Sequence, residues 1–149
     1  MMEDDLESYL GKQTVKDLKR QAIEAKRNAY VPYSHFPVGA CIYTNSGLFY
    51  SGCNVENASY GLSICAERTA VVKAVSEGNT CFRAIALSTD TVGEVWPCGA
   101  CRQFLSEFGN FPVIFIGLDG TIKVEMVYHL LPRNFSKSDL KTVVKDNKD

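Results

Sequence analysis

Cys65-Ala66-Glu67-Arg68-Thr69-Ala70-Val71-Val72-Lys73-Ala74-Val75-Ser76-Glu77-Gly78 reads as a helix that opens on a metal ligand. Ala, Glu, Arg and Lys favour helix, and Gly78 suits its C-terminal end. A second stretch of the same kind is Pro97-Cys98-Gly99-Ala100-Cys101-Arg102-Gln103. Pro97 fits a first helical turn, and the pattern predicts helix over 98–108, closed by Gly109. Cys98 and Cys101 are separated by one helical turn, so their sulfurs lie on one side, and Cys65 arrives from the other helix to complete a triangle. Structural zinc sites close with four protein ligands, whereas hydrolytic sites keep three and leave the fourth position for water. The spacing therefore predicts a hydrolytic zinc centre held by Cys65, Cys98 and Cys101, with one ion per subunit.

Three thiolates outweigh the double charge of zinc and would make the ion a poor acidifier of water. Two helix N-termini, each presenting roughly half a positive charge, offset that excess and favour thiolate. Arg68 is expected to add a cation by hydrogen-bonding the cysteine sulfurs. Glu67, in the first turn, can reach over the open coordination position and serve as the proton acceptor. A first-turn carboxylate also suits the helix dipole with no chemistry at all, but beside three thiols the catalytic reading takes precedence.

Outward from these helices the chain alternates. Val15, Leu18, Ala22, Ala25 and Ala29 recur at helical spacing and mark a helix from about residue 14. Residues 38–44 and 48–53 read as a hairpin around Asn45-Ser46-Gly47. Strands are expected at 83–89, at 112–117, and after Leu118-Asp119-Gly120-Thr121. This order of strands and helices implies a layered α/β/α domain. One domain over 1–149 is expected, with about 1–11 and 137–149 flexible.

Composition narrows the function. The chain has 149 residues, 46% of them hydrophobic, enough for one core. Sixteen basic and seventeen acidic residues leave a net charge of −1, with no basic stripe of the kind that holds a phosphate backbone. Polynucleotide substrates are disfavoured. The acidic start Met1-Met2-Glu3-Asp4-Asp5 does not resemble a secretory signal, and no apolar run reaches membrane-spanning length, so a cytosolic location is expected. Six cysteines then read as reduced thiols, with Cys41, Cys53 and Cys81 as small buried hydrophobes. His35 and His129 stand outside ligand spacing and read as structural. A redox protein using Cys98 and Cys101 as a Cys-x-x-Cys pair would leave Cys65 and Glu67 unexplained, and a zinc-stabilised module without catalysis is the remaining alternative, separated from the redox reading by metal stoichiometry.

The residues Tyr33-Ser34-His35-Phe36-Pro37-Val38-Gly39-Ala40, Gly52-Cys53-Asn54-Val55-Glu56-Asn57-Ala58, Cys65-Ala66-Glu67, Pro97-Cys98-Gly99-Ala100-Cys101 and Leu130-Leu131-Pro132 together resemble the zinc-dependent nucleoside deaminases. The likeness is greatest to the small, homotetrameric cytidine deaminases of the three-cysteine type, and it extends over nearly the whole chain. Cys65 stands where the superfamily motif more often has histidine, as in the polynucleotide-editing members. The resemblance implies a five-stranded mixed sheet and hydrolysis of free cytidine or deoxycytidine to the uridine nucleoside and ammonia, a reaction of pyrimidine salvage. It implies that Glu67 moves the protons, that Phe36 lies against the pyrimidine, and that Asn54 and Glu56 hold ribose hydroxyls. The main chain at Ala66 and at the Pro97–Cys98 turn is expected to read the base edge. Tyr60 and Phe135 resemble residues given to a neighbouring subunit's pocket. A pocket shaped for another cytosine-containing compound or for RNA would use the same chemistry.

Overall fold

The computed structural model describes residues 1–141. A five-stranded sheet of order β2-β1-β3-β4-β5 forms the centre, from β1 (Val38–Thr44), β2 (Phe49–Cys53), β3 (Phe82–Thr89), β4 (Pro112–Ile116) and β5 (Ile122–Met126). Only β3 and β4 pair in parallel; the other neighbours are antiparallel. Helices α1 (Glu3–Leu10) and α2 (Lys12–Lys26) cover one face. Helices α3 (Ala66–Ser76), α4 (Gly99–Ser106) and α5 (Val127–Leu130) cover the other, and α6 (Lys137–Lys141) ends the described chain. The result is the expected three-layer α/β/α sandwich.

Period-two alternation divides the strands between two cores. Ala40, Ile42, Ile85, Leu87 and Val113 face Ala66, Ala70, Val71, Ala74 and Leu105. Cys41, Ala84, Ala86 and Ile114 face Leu6, Leu10, Val15, Leu18 and Ala22 on the opposite side. β4 is buried along its whole length, as befits an inner strand covered on both faces. Two glycines let helix backbones lie directly on the hairpin. A Cβ at Gly39 would stand 2.0 Å from the Ala22 carbonyl oxygen, and one at Gly52 would stand 2.5 Å from the Ala70 nitrogen. These glycines press α2 and α3 onto opposite faces of adjacent strands.

Several expectations are corrected. Residues 3–10, within the stretch expected to be a flexible end, form a helix, in which Leu6 and Leu10 are buried against α2 and the sheet and acidic residues occupy the first turn. The tail from 137, where flexibility is expected, carries α6, and residues 142–149 lie outside the described residues. The helix expected to run to Ala29 stops at Lys26, after which Arg27, Asn28 and Ala29 bond three residues back in tight turns. Cys41 is buried as expected, but Cys53 is half-buried and Cys81 exposed. Cys53 is the last residue of the edge strand β2, and Cys81 precedes β3, so neither reaches a core.

Candidate active site

Strand register brings the site together at one edge of the sheet. β1 is antiparallel to both neighbours, with Gly39 opposite Cys53 and Val38 opposite Thr89. The start of β1 therefore meets the ends of β2 and β3, and the chain leaving those ends turns into α3 and α4. Cys65 and Cys98 are the N-cap residues of these helices, each with extended backbone and no side-chain cap bond. A Ser, Thr, Asp or Asn there would accept from the first-turn N–H groups. Cysteine leaves two positive helix ends directed at the space between them.

The sulfurs of Cys65 and Cys98 are 3.7 Å apart, and those of Cys65, Cys98 and Cys101 all lie within 4.8 Å of one another. A tetrahedron with metal–sulfur bonds of about 2.3 Å has sulfur–sulfur edges of about 3.8 Å. Both the donor set and the spacing fit zinc. Cys98 is exposed, Cys65 half-buried and Cys101 buried, so the triangle spans the protein surface.

Arg68 donates from Nη2 to the Cys65 sulfur at 3.5 Å, as its position in the sequence suggested. Its buried Nε has no hydrogen-bond partner among the described residues. The hydrogen bond from Cys101, reinforced by Arg68 and Cys98, pulls the Cys65 thiol down to about 5 against the opposing effect of burial. Cys101 moves the other way, because it donates to Cys65 and is itself buried. Glu67 is 5% exposed. Burial raises its carboxyl above the ordinary range, and the negative charge at Cys65 adds to the rise.

Phe36, Asn54, Ala66, Glu67, Cys65 and Cys98 line one cavity of about 220 Å³. Glu56 and Tyr60 line a different one of about 300 Å³, with Tyr33, Ser34 and Ser63. The segment from Tyr33 to Val38 joins the two. Glu56 Oε1 accepts from the main-chain N–H groups of Tyr33 and Ser34, each at 3.1 Å. Asn54 accepts from Val38 N–H and donates to the Phe36 carbonyl, both at 2.8 Å, so its amide clasps the chain on either side of Pro37. His35, between them, holds a left-handed φ of 54°, a conformation uncommon outside glycine. The expected substrate-binding residues thus also shape the loop that carries Phe36.

Tyr60 and Phe135 are 75% and 60% exposed. Tyr60 lies 5.6 Å from the Tyr33 ring, while the Phe135 carbonyl accepts from Gln103 on α4 and its side chain lines neither cavity. His129 lies against Glu125 on the surface, 3.2 Å away, and His35 is also exposed. Val38, Leu87, Thr89, Val95 and Trp96 line the thiol-bearing cavity and were not anticipated. Only Trp96 carried a local signal, standing immediately before Pro97-Cys98; Val38, Leu87 and Thr89 are brought in by strand pairing, and Val95 lies in the segment that leads from β3 to Cys98.

Residues 12–117 match the family model described as the cytidine and deoxycytidylate deaminase zinc-binding region. The chain is 50% identical over 128 residues to a cytidine deaminase of Sporosarcina psychrophila, covering 85% of this chain and 94% of the relative. It is 47% identical to a probable cytidine deaminase of Dictyostelium discoideum, over 80% and 85% of the two chains. Among solved structures, a cytidine deaminase from Burkholderia pseudomallei superposes with a TM-score of 0.78 at 45% identity, over 80% of this chain and 98% of that one. One from Mycobacterium tuberculosis does so with a TM-score of 0.70 at 37% identity, over 81% and 96%.

Proposed function

The chain belongs to the cytidine and deoxycytidylate deaminase family, and from that premise we propose that it hydrolyses cytidine and 2′-deoxycytidine to uridine and 2′-deoxyuridine with release of ammonia. The observation that carries this reading is a buried carboxylate, Glu67, sharing a cavity with two of three clustered thiols at two helix N-termini. Zinc held by Cys65, Cys98 and Cys101 would supply the Lewis acidity that makes water nucleophilic near neutral pH.

Glu67 takes a proton from the attacking water, and its raised pKa suits a base that must later return that proton. It passes that proton to ring N3, then takes the second from the hydroxyl of the C4 adduct and gives it to the departing amine, so that water adds at C4 and ammonia leaves. Arg68 balances the thiolate charge through the Cys65 sulfur. Phe36 lies against the base, and the main chain at Ala66 and at the Pro97–Cys98 turn reads its edge. After clasping the loop, Asn54 retains one N–H and one lone pair for a ribose hydroxyl. Glu56 faces the sugar from the adjoining cavity and repels a 3′-phosphate, which favours free nucleosides over a polynucleotide.

We further propose a single catalytic domain that assembles as a homotetramer, with Tyr60 and Phe135 reaching a neighbouring pocket. The exposed apolar side chains of Tyr60, Leu62, Val72, Phe104 and Phe135 support self-association. A three-thiolate centre supports a reducing, cytosolic location. Among the described residues no helix is long and apolar enough to cross a membrane.

Zinc-loaded protein mixed with cytidine should show the ultraviolet change of deamination together with ammonia release. Glu67→Gln should keep zinc and lose turnover by about 10²–10⁴-fold. Full activity in that variant would overturn the assignment.

A further inference from the structure

Trp96 is the only tryptophan in the chain and precedes the Pro97–Cys98 turn. Its indole is held from two directions. The ring packs on the sheet-side core, 6.1 Å from the Phe115 ring, and the indole N–H donates to Glu94 Oε2 at 3.1 Å. The other Glu94 oxygen lies 3.6 Å from Lys123 Nζ on β5. Trp96 lines the 220 Å³ cavity that contains Glu67 and Cys98. It also lines a separate cleft of about 500 Å³ bordered by Met1, Met2 and Ile122. The same side chain therefore borders a small reactive pocket and a larger outer space.

We infer that Trp96 is a specificity-determining wall, which limits the substrate to cytosine bases unenlarged at the C4–C5 edge. This rests on the proposed deaminase reading. Water attacks C4 beside the thiols, so that edge of the base faces Cys98 and, with it, the residue two positions earlier. An alkyl group on N4 or C5 would have to occupy the volume of the indole. Packing against Phe115 and the bond to Glu94 keep the ring from yielding. Loss of the indole opens the reactive pocket toward the outer cleft, where such a group fits.

Wild-type holoenzyme turning over cytidine establishes the underlying reading by itself, and the wall is tested by ratios. Values of kcat/KM for N4-methylcytidine and 5-ethylcytidine, each relative to cytidine, are compared in wild type, Trp96→Ala and Trp96→Phe. Trp96→Ala should raise at least one ratio by about tenfold or more, the scale of one or two methylenes in a tight pocket, and Trp96→Phe should raise it less. A merely structural tryptophan would lower all three rates together and leave both ratios unchanged, which overturns the proposal. Should Trp96→Ala fail to fold, wild-type fluorescence decides. Uridine should change the emission of the lone tryptophan saturably, over the same concentrations at which it inhibits cytidine turnover. Inhibition with no change in emission would overturn the proposal.

Discussion

In the proposed mechanism Glu67 serves chemistry at the expense of stability. A carboxylate 5% exposed costs free energy to bury, and that burial is also what raises its pKa above the ordinary carboxylate value. Glu67→Gln keeps the volume and removes the charge, so melting of the variant should occur at or above the wild-type temperature while turnover collapses. Arg68 touches the proposed centre only through the Cys65 sulfur. Arg68→Gln should weaken zinc affinity or activity by about 10–100-fold, read by metal competition and initial rates. Glu56 has a definite acid signature. Hydrogen bonds from Ser34, aided by the Tyr33 N–H, hold its carboxyl below the ordinary 4.5. A depressed folded pKa contributes stability that is fully present above 4.5 and disappears as pH falls through the lower folded value. Glu56→Gln should therefore lose stability less steeply than wild type on acidification below that point, measured by denaturant midpoints. Equal slopes would remove Glu56 as an anchor of the Tyr33–Ser34 loop.

At the scale of elements, the site depends on how closely α3 lies on the hairpin. A methyl group at Gly52 would meet the Ala70 nitrogen at 2.5 Å and the Ala66 carbonyl at 2.8 Å, and these are backbone atoms that cannot rotate away. α3 must shift, and its first turn carries Glu67 while its N-cap is Cys65. Gly52→Ala should cost about 1–3 kcal/mol or more and also reduce zinc stoichiometry. Gly39→Ala presses on α2, which covers the opposite face, so it should lower the Tm while zinc is retained. Loss of zinc in both variants, or in neither, would break the link between hairpin, helix and metal. The two uncapped helix starts have the same logic: a Ser at position 65 or 98 would cap the helix but remove a ligand, so local stability has yielded to the site.

For the whole molecule, the thiol triangle ties α3 to α4, two helices that follow different strands. Zinc binding is therefore linked to folding, and chelation should lower the Tm, as should Cys101→Ala. An unchanged melting profile after complete removal of zinc would contradict that linkage. The sequence by itself determined whatever depends on near neighbours. Cys98 and Cys101 share a side because they are one helical turn apart, and Gly78, Pro97 and Gly109 delimit helices by local backbone preference. The hairpin follows from alternation around Asn45-Ser46-Gly47, and the zinc chemistry follows from three thiols beside one carboxylate. Tertiary structure decided what depends on distant partners. Asn54 clasps Phe36 and Val38 only because β2 ends beside the start of β1. Thr89 enters the pocket because it pairs with Val38, and Trp96 because it packs on Phe115. Leu6 and Leu10 make α1 a helix of the core rather than a free end. Local periodicity carries no term for such contacts, since each arises from strand register and layer packing between segments remote in the chain.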